Sequence, residues 1–251
     1  MSGHSKWHSI KHKKGLIDAK RGKVFTKHAK LIAISAKRGP DPNTNPGLRA
    51  AIDNAKLDNV PTMNIDRAIK KGSGQDKDAT VYEELYYEAF GPAGTALYIH
   101  VITDNKNRAL ADFKSILTRN GGNMATVGST ARLFERKGLI VVAEKEGLSA
   151  DEMELSLIDA GAQDIKKDGE SFEVYVNPLQ FTSIRDSLKN SGFSVEKAEI
   201  IFLPFQSVKV TDESSGKKVL NLIDALEENE DISDVYCNVE MDESLISKIE
   251  E

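Results

Sequence analysis

Three histidines, His4, His8 and His12, recur every four residues near the start of the chain, a spacing that lines one helix face and can hold a metal ion. Gly3 and Ser5 are poor helix formers, and no cysteine or second carboxylate stands nearby. Lys6, Lys11, Lys13 and Lys14 crowd the same stretch and would oppose a cation. The pattern therefore predicts no metal site. These histidines are better suited to donate to phosphate or to stack on bases; a simple arm without a ligand is the plainer reading. Trp7, set among lysines and histidines, has the chemistry of a stacking platform for unpaired bases, worth about 1–3 kcal/mol per base. An anchor that pins the arm onto the following helices would use the same residue.

Elsewhere the chemistry is thin. There is no GxSxG, no GxxxxGK[ST] and no GxGxxG following a strand. Lys71-Gly72-Ser73-Gly74 follows a helical pattern instead of preceding one, so it reads as a helix stop and linker. Asp104 to Arg108 sits where a strand gives way to a helix, with Asp104 or Asn105 as the cap; a polar cluster at a strand end is the sharper alternative. Glu83, Glu84 and Glu88 read as the solvated face of a strand. Cys237, the single cysteine, excludes an internal disulfide and reads as a buried strand position. No nucleophile, base and orienting group assemble, so the sequence predicts no catalytic residues and no cofactor.

The elements that position these residues divide by charge. Residues 1–77 hold 17 Lys/Arg against 6 Asp/Glu, a net of +11, and the remainder carries −16. Such a field steers one end toward polyanions and holds the other away. Met1 to about Ile17 reads as a basic arm, followed by a helix from about Ala19 to Arg38. On that helix Lys20, Lys23, Lys27, Lys30 and Lys37 share one arc, expected to stay wet, opposite Phe25, Ala29, Ile32, Ala33 and Ala36. Val24, Leu31 and Ile34 blur this division and predict cover on more than one side. The candidate nucleic-acid contacts are Lys6, Trp7, Lys11, His12, Lys13, Lys14, Lys20, Arg21, Lys23, Lys27 and Lys30. Acidic residues from Asp224 to Asp234 read as an exposed helix side and exit loop; a surface that docks a basic protein, such as polymerase or a ribosomal protein, is the alternative. No run of 18 apolar residues or secretory h-region is present, so cytoplasm is the default compartment. Oligomeric state is not legible.

The rhythm of elements predicts an α+β protein. Residues 1–77 read as the arm and a three-helix bundle, with Asn45 and Pro46 opening the second helix. Residues 138–205 show a βαββαβ order, the ferredoxin-like arrangement, inserted into a discontinuous αβ domain of 78–137 plus 206–251. Gly3-His4-Ser5-Lys6-Trp7, Asn59-Val60-Pro61, Ile65 to Gly72, Gly91-Pro92, Asn105 to Arg108 and Gly121-Gly122 resemble the signature of the YebC/PmpR family. Ala93 departs from it, where that family often has glycine. The resemblance implies a helical bundle and two αβ domains, and regulation of gene expression without catalysis. Family members are described as DNA-binding transcriptional regulators. A mitochondrial relative is a translational activator of cytochrome c oxidase, and bacterial relatives are described as ribosome-associated factors that aid synthesis through proline-rich stretches. The same basic end thus has two expected targets, DNA and ribosomal RNA.

Overall fold

Helix α1 (Arg21–Ala36) buries Ile32, Ala33 and Ala36, and against this stripe pack α2 (Pro46–Leu57) and α3 (Thr62–Gly72). The computed structural model describes residues 21–75 and 81–250. The Asn45 side chain accepts from the Leu48 amide at 3.1 Å and Pro46 opens α2, so the predicted cap is present. Leu48, Ile52, Ala55, Val60, Ile65 and Ala68 complete the small core. Gly72 is the last helical residue of α3 and lies directly on the backbone of Ala33, where a Cβ would sit 2.1 Å from the carbonyl oxygen. The helix stops there, as expected, and Gly72 in addition permits the close approach of α1 and α3. The left-handed turn comes two residues later, at Gly74 (φ +74).

A four-stranded antiparallel sheet follows, made by β1 (Glu83–Phe90), β2 (Ala96–Thr103), the two-residue β3 (Asn123–Met124) and the distant β9 (Ile232–Cys237), in the order β3-β1-β2-β9. Helices α4 (Lys106–Arg119) and α7 (Glu213–Glu227) cover one face, burying Phe113, Leu117, Leu222, Ile223 and Leu226 over Leu97, Ile99 and Val101. After β9 the chain leaves the sheet at Asn238, and β10 (Val239–Glu240) pairs in parallel with β8 (Val208–Lys209). A final helix, α8 (Glu243–Glu250), packs on α7.

Between the two halves of that sheet lies the βαββαβ unit: β4 (Phe134–Ala143), α5 (Ala150–Asp159), β5 (Asp164–Asp168), β6 (Ser171–Val176), α6 (Phe181–Asn190) and β7 (Val195–Pro204). The strand order β5-β6-β4-β7, all antiparallel, is the ferredoxin-like one. Strand β7 is an edge, and Asn54 of α2 covers it: the side chain donates to the Ala198 carbonyl (2.7 Å) and accepts from the Ala198 amide (3.3 Å). Ion pairing of Lys189 with Asp53 at 2.9 Å reinforces the same contact. Val24 and Leu31, which blurred the apolar stripe of α1, line a cleft of about 470 Å³ against Val141, Glu173 and Lys197 of this second sheet. On the other side an aromatic seam joins the two sheets, with Phe202 of β7 set edge-on to Tyr86, Tyr98 and Tyr236.

Candidate nucleic-acid interface

Seven of the sequence-predicted contacts, Lys6, Trp7, Lys11, His12, Lys13, Lys14 and Lys20, lie outside the described residues, as do His4 and His8; of Arg21 only the backbone is described. The three that remain do not form the open, wet stripe expected of them. Lys23 donates to the carbonyl of Glu228 at 3.2 Å. Lys27 pairs with Asp234 at 2.7 Å. Lys30 is only 8% exposed and binds both the Asp231 carboxylate (2.9 Å) and the Glu230 carbonyl (2.6 Å). The physical reason is complementarity within the chain: successive lysines on one helical arc meet the acidic segment 228–234 at the start of β9. Lys37, on the same arc, donates to the carbonyl of Tyr82, whose ring Lys71 overlies at 4.2 Å.

The acidic side is equally organised. Asp231 is 6% exposed and is held from its own αβ unit by Arg108, whose Nη2 and Nε donate at 2.8 and 3.3 Å. Burial alone would raise the Asp231 carboxyl; hydrogen bonds from Arg108 and Lys30 outweigh it and hold the group below the ordinary carboxylate range. Asp234 also faces Nδ1 of His100 at 3.4 Å, while Nε2 of that imidazole meets Glu84 at 2.8 Å. Burial would keep His100 neutral, but Asp234 and Glu84 lift it to about 9, so it is charged at neutral pH. Tyr86 stacks on His100 at 4.9 Å and on Tyr98 at the same distance.

The strand glutamates are not simply the solvated row expected of β1. Glu84 pairs with His100, and Glu88 is 6% exposed and accepts from the amides of Gly128 (2.6 Å), Thr130 (2.6 Å) and Ala131 (2.8 Å). That carboxylate shapes the loop whose tip, Val127, is almost fully exposed. Asn105 caps α4 by accepting from the Arg108 amide at 3.1 Å, the plainer reading of that cluster. Cys237 is buried, as expected, and its thiol is pushed up to about 12 by burial. The cations left exposed on the bundle include Lys56, Arg67 and Lys70. They are not among the sequence-predicted contacts; the i,i+3 spacing of Arg67 and Lys70 on α3, which puts both on one helix face, is the signal that could have found them. Among the described residues no group of three or more His, Cys, Asp or Glu could hold a metal, and no helix is long and apolar enough to cross a membrane.

The comparisons agree along the chain. Residues 5–75 match the family description "TACO1/YebC protein N-terminal domain", and residues 82–239 match "TACO1/YebC second and third domain". A protein of Thermobifida fusca named "Probable transcriptional regulatory protein" is 44% identical over 250 residues, covering 99% of this chain and 100% of its own. One of the same name from Nocardia farcinica is 45% identical over 251 residues, covering 100% and 99%. The crystal structure of a conserved hypothetical protein from Aquifex aeolicus superposes with a TM-score of 0.87 at 40% identity, covering 95% of this chain and 98% of that one. With both parts matched and relatives at this identity spanning its whole length, the chain belongs to the TACO1/YebC family.

Proposed function

We propose that this protein is a non-catalytic, nucleic-acid-binding regulator of gene expression, and specifically a DNA-binding transcriptional regulator. The observation that supports this most is the charge division, +11 in residues 1–77 against −16 in the rest, in a chain whose relatives are named probable transcriptional regulatory proteins. Contacts come first from the arm, through Lys6, Trp7, Lys11, His12, Lys13, Lys14, Lys20 and Arg21, with exposed Lys23 beside it. Arg67 and Lys70 on α3 extend the basic surface. Lys27 and Lys30 join only when they leave Asp234 and Asp231. Lysines grip phosphate and carry no base code, so the interaction is mainly electrostatic.

Titrating labelled duplex DNA at several salt concentrations tests this reading. With six to ten phosphates contacted, affinity falls about 10³–10⁵-fold between 50 and 200 mM salt. A flat response overturns it. Ribosomal RNA is the second reading, favoured by Trp7, since an aromatic among lysines suits unpaired or structured RNA. In-cell crosslinking separates the two, with recovery in ribosomal RNA replacing the transcriptional reading by one of translation. Docking of polymerase or ribosomal protein on the acidic domains would have to use carboxylates other than Asp231, which is held by Lys30 and Arg108.

A further inference from the structure

We propose that segment 228–234 is an internal stand-in for a nucleic-acid strand, occupying the lysine row of α1 until a phosphate backbone displaces it. This rests on the reading of the basic end as a nucleic-acid surface, and adds how access to that surface is controlled. Three successive lysines of one arc, at 23, 27 and 30, reach about two hundred residues along the chain to seven consecutive residues. What meets them is a cluster of oxygens: the carbonyls of Glu228 and Glu230 and the carboxylates of Asp231 and Asp234. A phosphodiester strand offers lysines the same chemistry, closely spaced acceptor oxygens with negative charge. The two cannot occupy the row together.

The contact is built so that it can open. Each carboxylate has a second cation on its own αβ unit: Arg108 holds Asp231 at 2.8 Å, and His100 faces Asp234 at 3.4 Å. When α1 leaves, neither carboxylate is stranded, so the penalty of an unpaired buried charge does not arise on that side. The lysines that leave exchange carboxylate for phosphate. The row is also graded along its length. Lys23 is exposed and donates to the uncharged Glu228 carbonyl, Lys27 is half-buried, and Lys30 is nine-tenths buried. Opening therefore starts at the end nearest the basic arm, where a captured strand already lies, and proceeds toward Lys30.

A closed lysine row weakens apparent affinity by the fraction of molecules that are open. The test uses the full chain carrying Thr44→Cys and Glu213→Cys for a fluorescent dye pair, with buried Cys237 left in place. Bundle-to-sheet distance and affinity are measured together, with a 20-base-pair DNA duplex and with RNA of the same sequence as separate arms. Removing the stand-in charge with Asp231→Asn plus Asp234→Asn is expected to lengthen the distance without nucleic acid and to tighten binding about tenfold. Asp234→Asn alone, which keeps the Asp231–Arg108 pair, is expected to shift both in the same direction by less, and serves if the double variant does not fold. In the unsubstituted chain, whichever nucleic acid binds is expected to lengthen the same distance. Binding with unchanged distance and unchanged affinity in the variants overturns the stand-in while leaving the nucleic-acid reading intact. Absence of binding to both probes in every variant overturns the nucleic-acid reading, and the stand-in with it.

Discussion

His100 keeps its charge inside the protein because carboxylates reach it from two neighbouring strands, Glu84 on β1 and Asp234 on β9. Its folded value of about 9 lies above the ordinary 6.5, so its contribution is complete below pH 6.5 and is lost as pH rises through 9. Glu84 runs the other way: the hydrogen bond from His100 holds it below 4.5, so its contribution is present above that pH and lost as pH falls. Thermal stability is expected to fall between pH 6.5 and 9.5, by ~3 kcal/mol in total, and His100→Gln is expected to flatten that slope. A slope that survives in the variant, measured by calorimetry, assigns it to other groups. Such residues were poorly legible. Alternation on β1 suggested a wet face, but the donors that bury Glu88 come from about forty residues away, and no local pattern announces them. Ala93, noted as a departure from glycine, stands at φ 57, a left-handed backbone that glycine adopts without strain.

Elements were far more legible than residues, since caps and periodicity are local. The three bundle helices, the helix over 106–119 and three strands of the ferredoxin-like sheet lie where periodicity puts them, to within a few residues, whereas β4 starts at Phe134, five residues before the apolar run at Leu139 that marks it in the sequence. The extended run that begins at β9 is broken at Asn238, before β10. There the side chain accepts from the Ala96 amide at 2.7 Å while the carbonyl accepts from Val208, so one residue ties two sheets together. Helix α8 had no counterpart in the sequence reading, because its short apolar side acts only once α7 is beside it. The crossing of α1 and α3 depends on a missing side chain. Gly72→Ala is expected to cost about 3 kcal/mol by forcing backbone from backbone, whereas Gly22→Ala, where a Cβ meets nothing within 4 Å, is expected to be neutral or to stabilise α1 by up to about 1 kcal/mol. Denaturant melts of the two variants check the contrast, and equal effects would remove the close-approach role of Gly72.

For the molecule as a whole, the sequence announced that charge was divided but not that the halves would meet, because composition carries sign and not position. Lys30 shows what their meeting contributes. Lys30→Met is expected to loosen α1 to α3 against the sheets, seen as faster amide exchange in the bundle with β2 and β4 unchanged. The cost is expected to be below the ~3–5 kcal/mol of an orphaned buried charge, since Arg108 keeps Asp231 paired. Lys23→Met, on an exposed carbonyl contact, is expected to leave exchange as it was. If both variants behave alike, burial of Lys30 is not what fastens the bundle. The placement of β9 beside β2 also sets a timetable for synthesis. Val101 pairs with Ile232, so the inner edge of the first sheet stays open while the whole βαββαβ unit is translated. At about 5–20 residues per second that wait is of order ten seconds. During it the ferredoxin-like unit has all its own strands and can close first, while the apolar face around Leu97 and Ile99 still lacks α7. A nascent chain stalled between these two points would expose that face to chaperones, although the finished protein buries it completely.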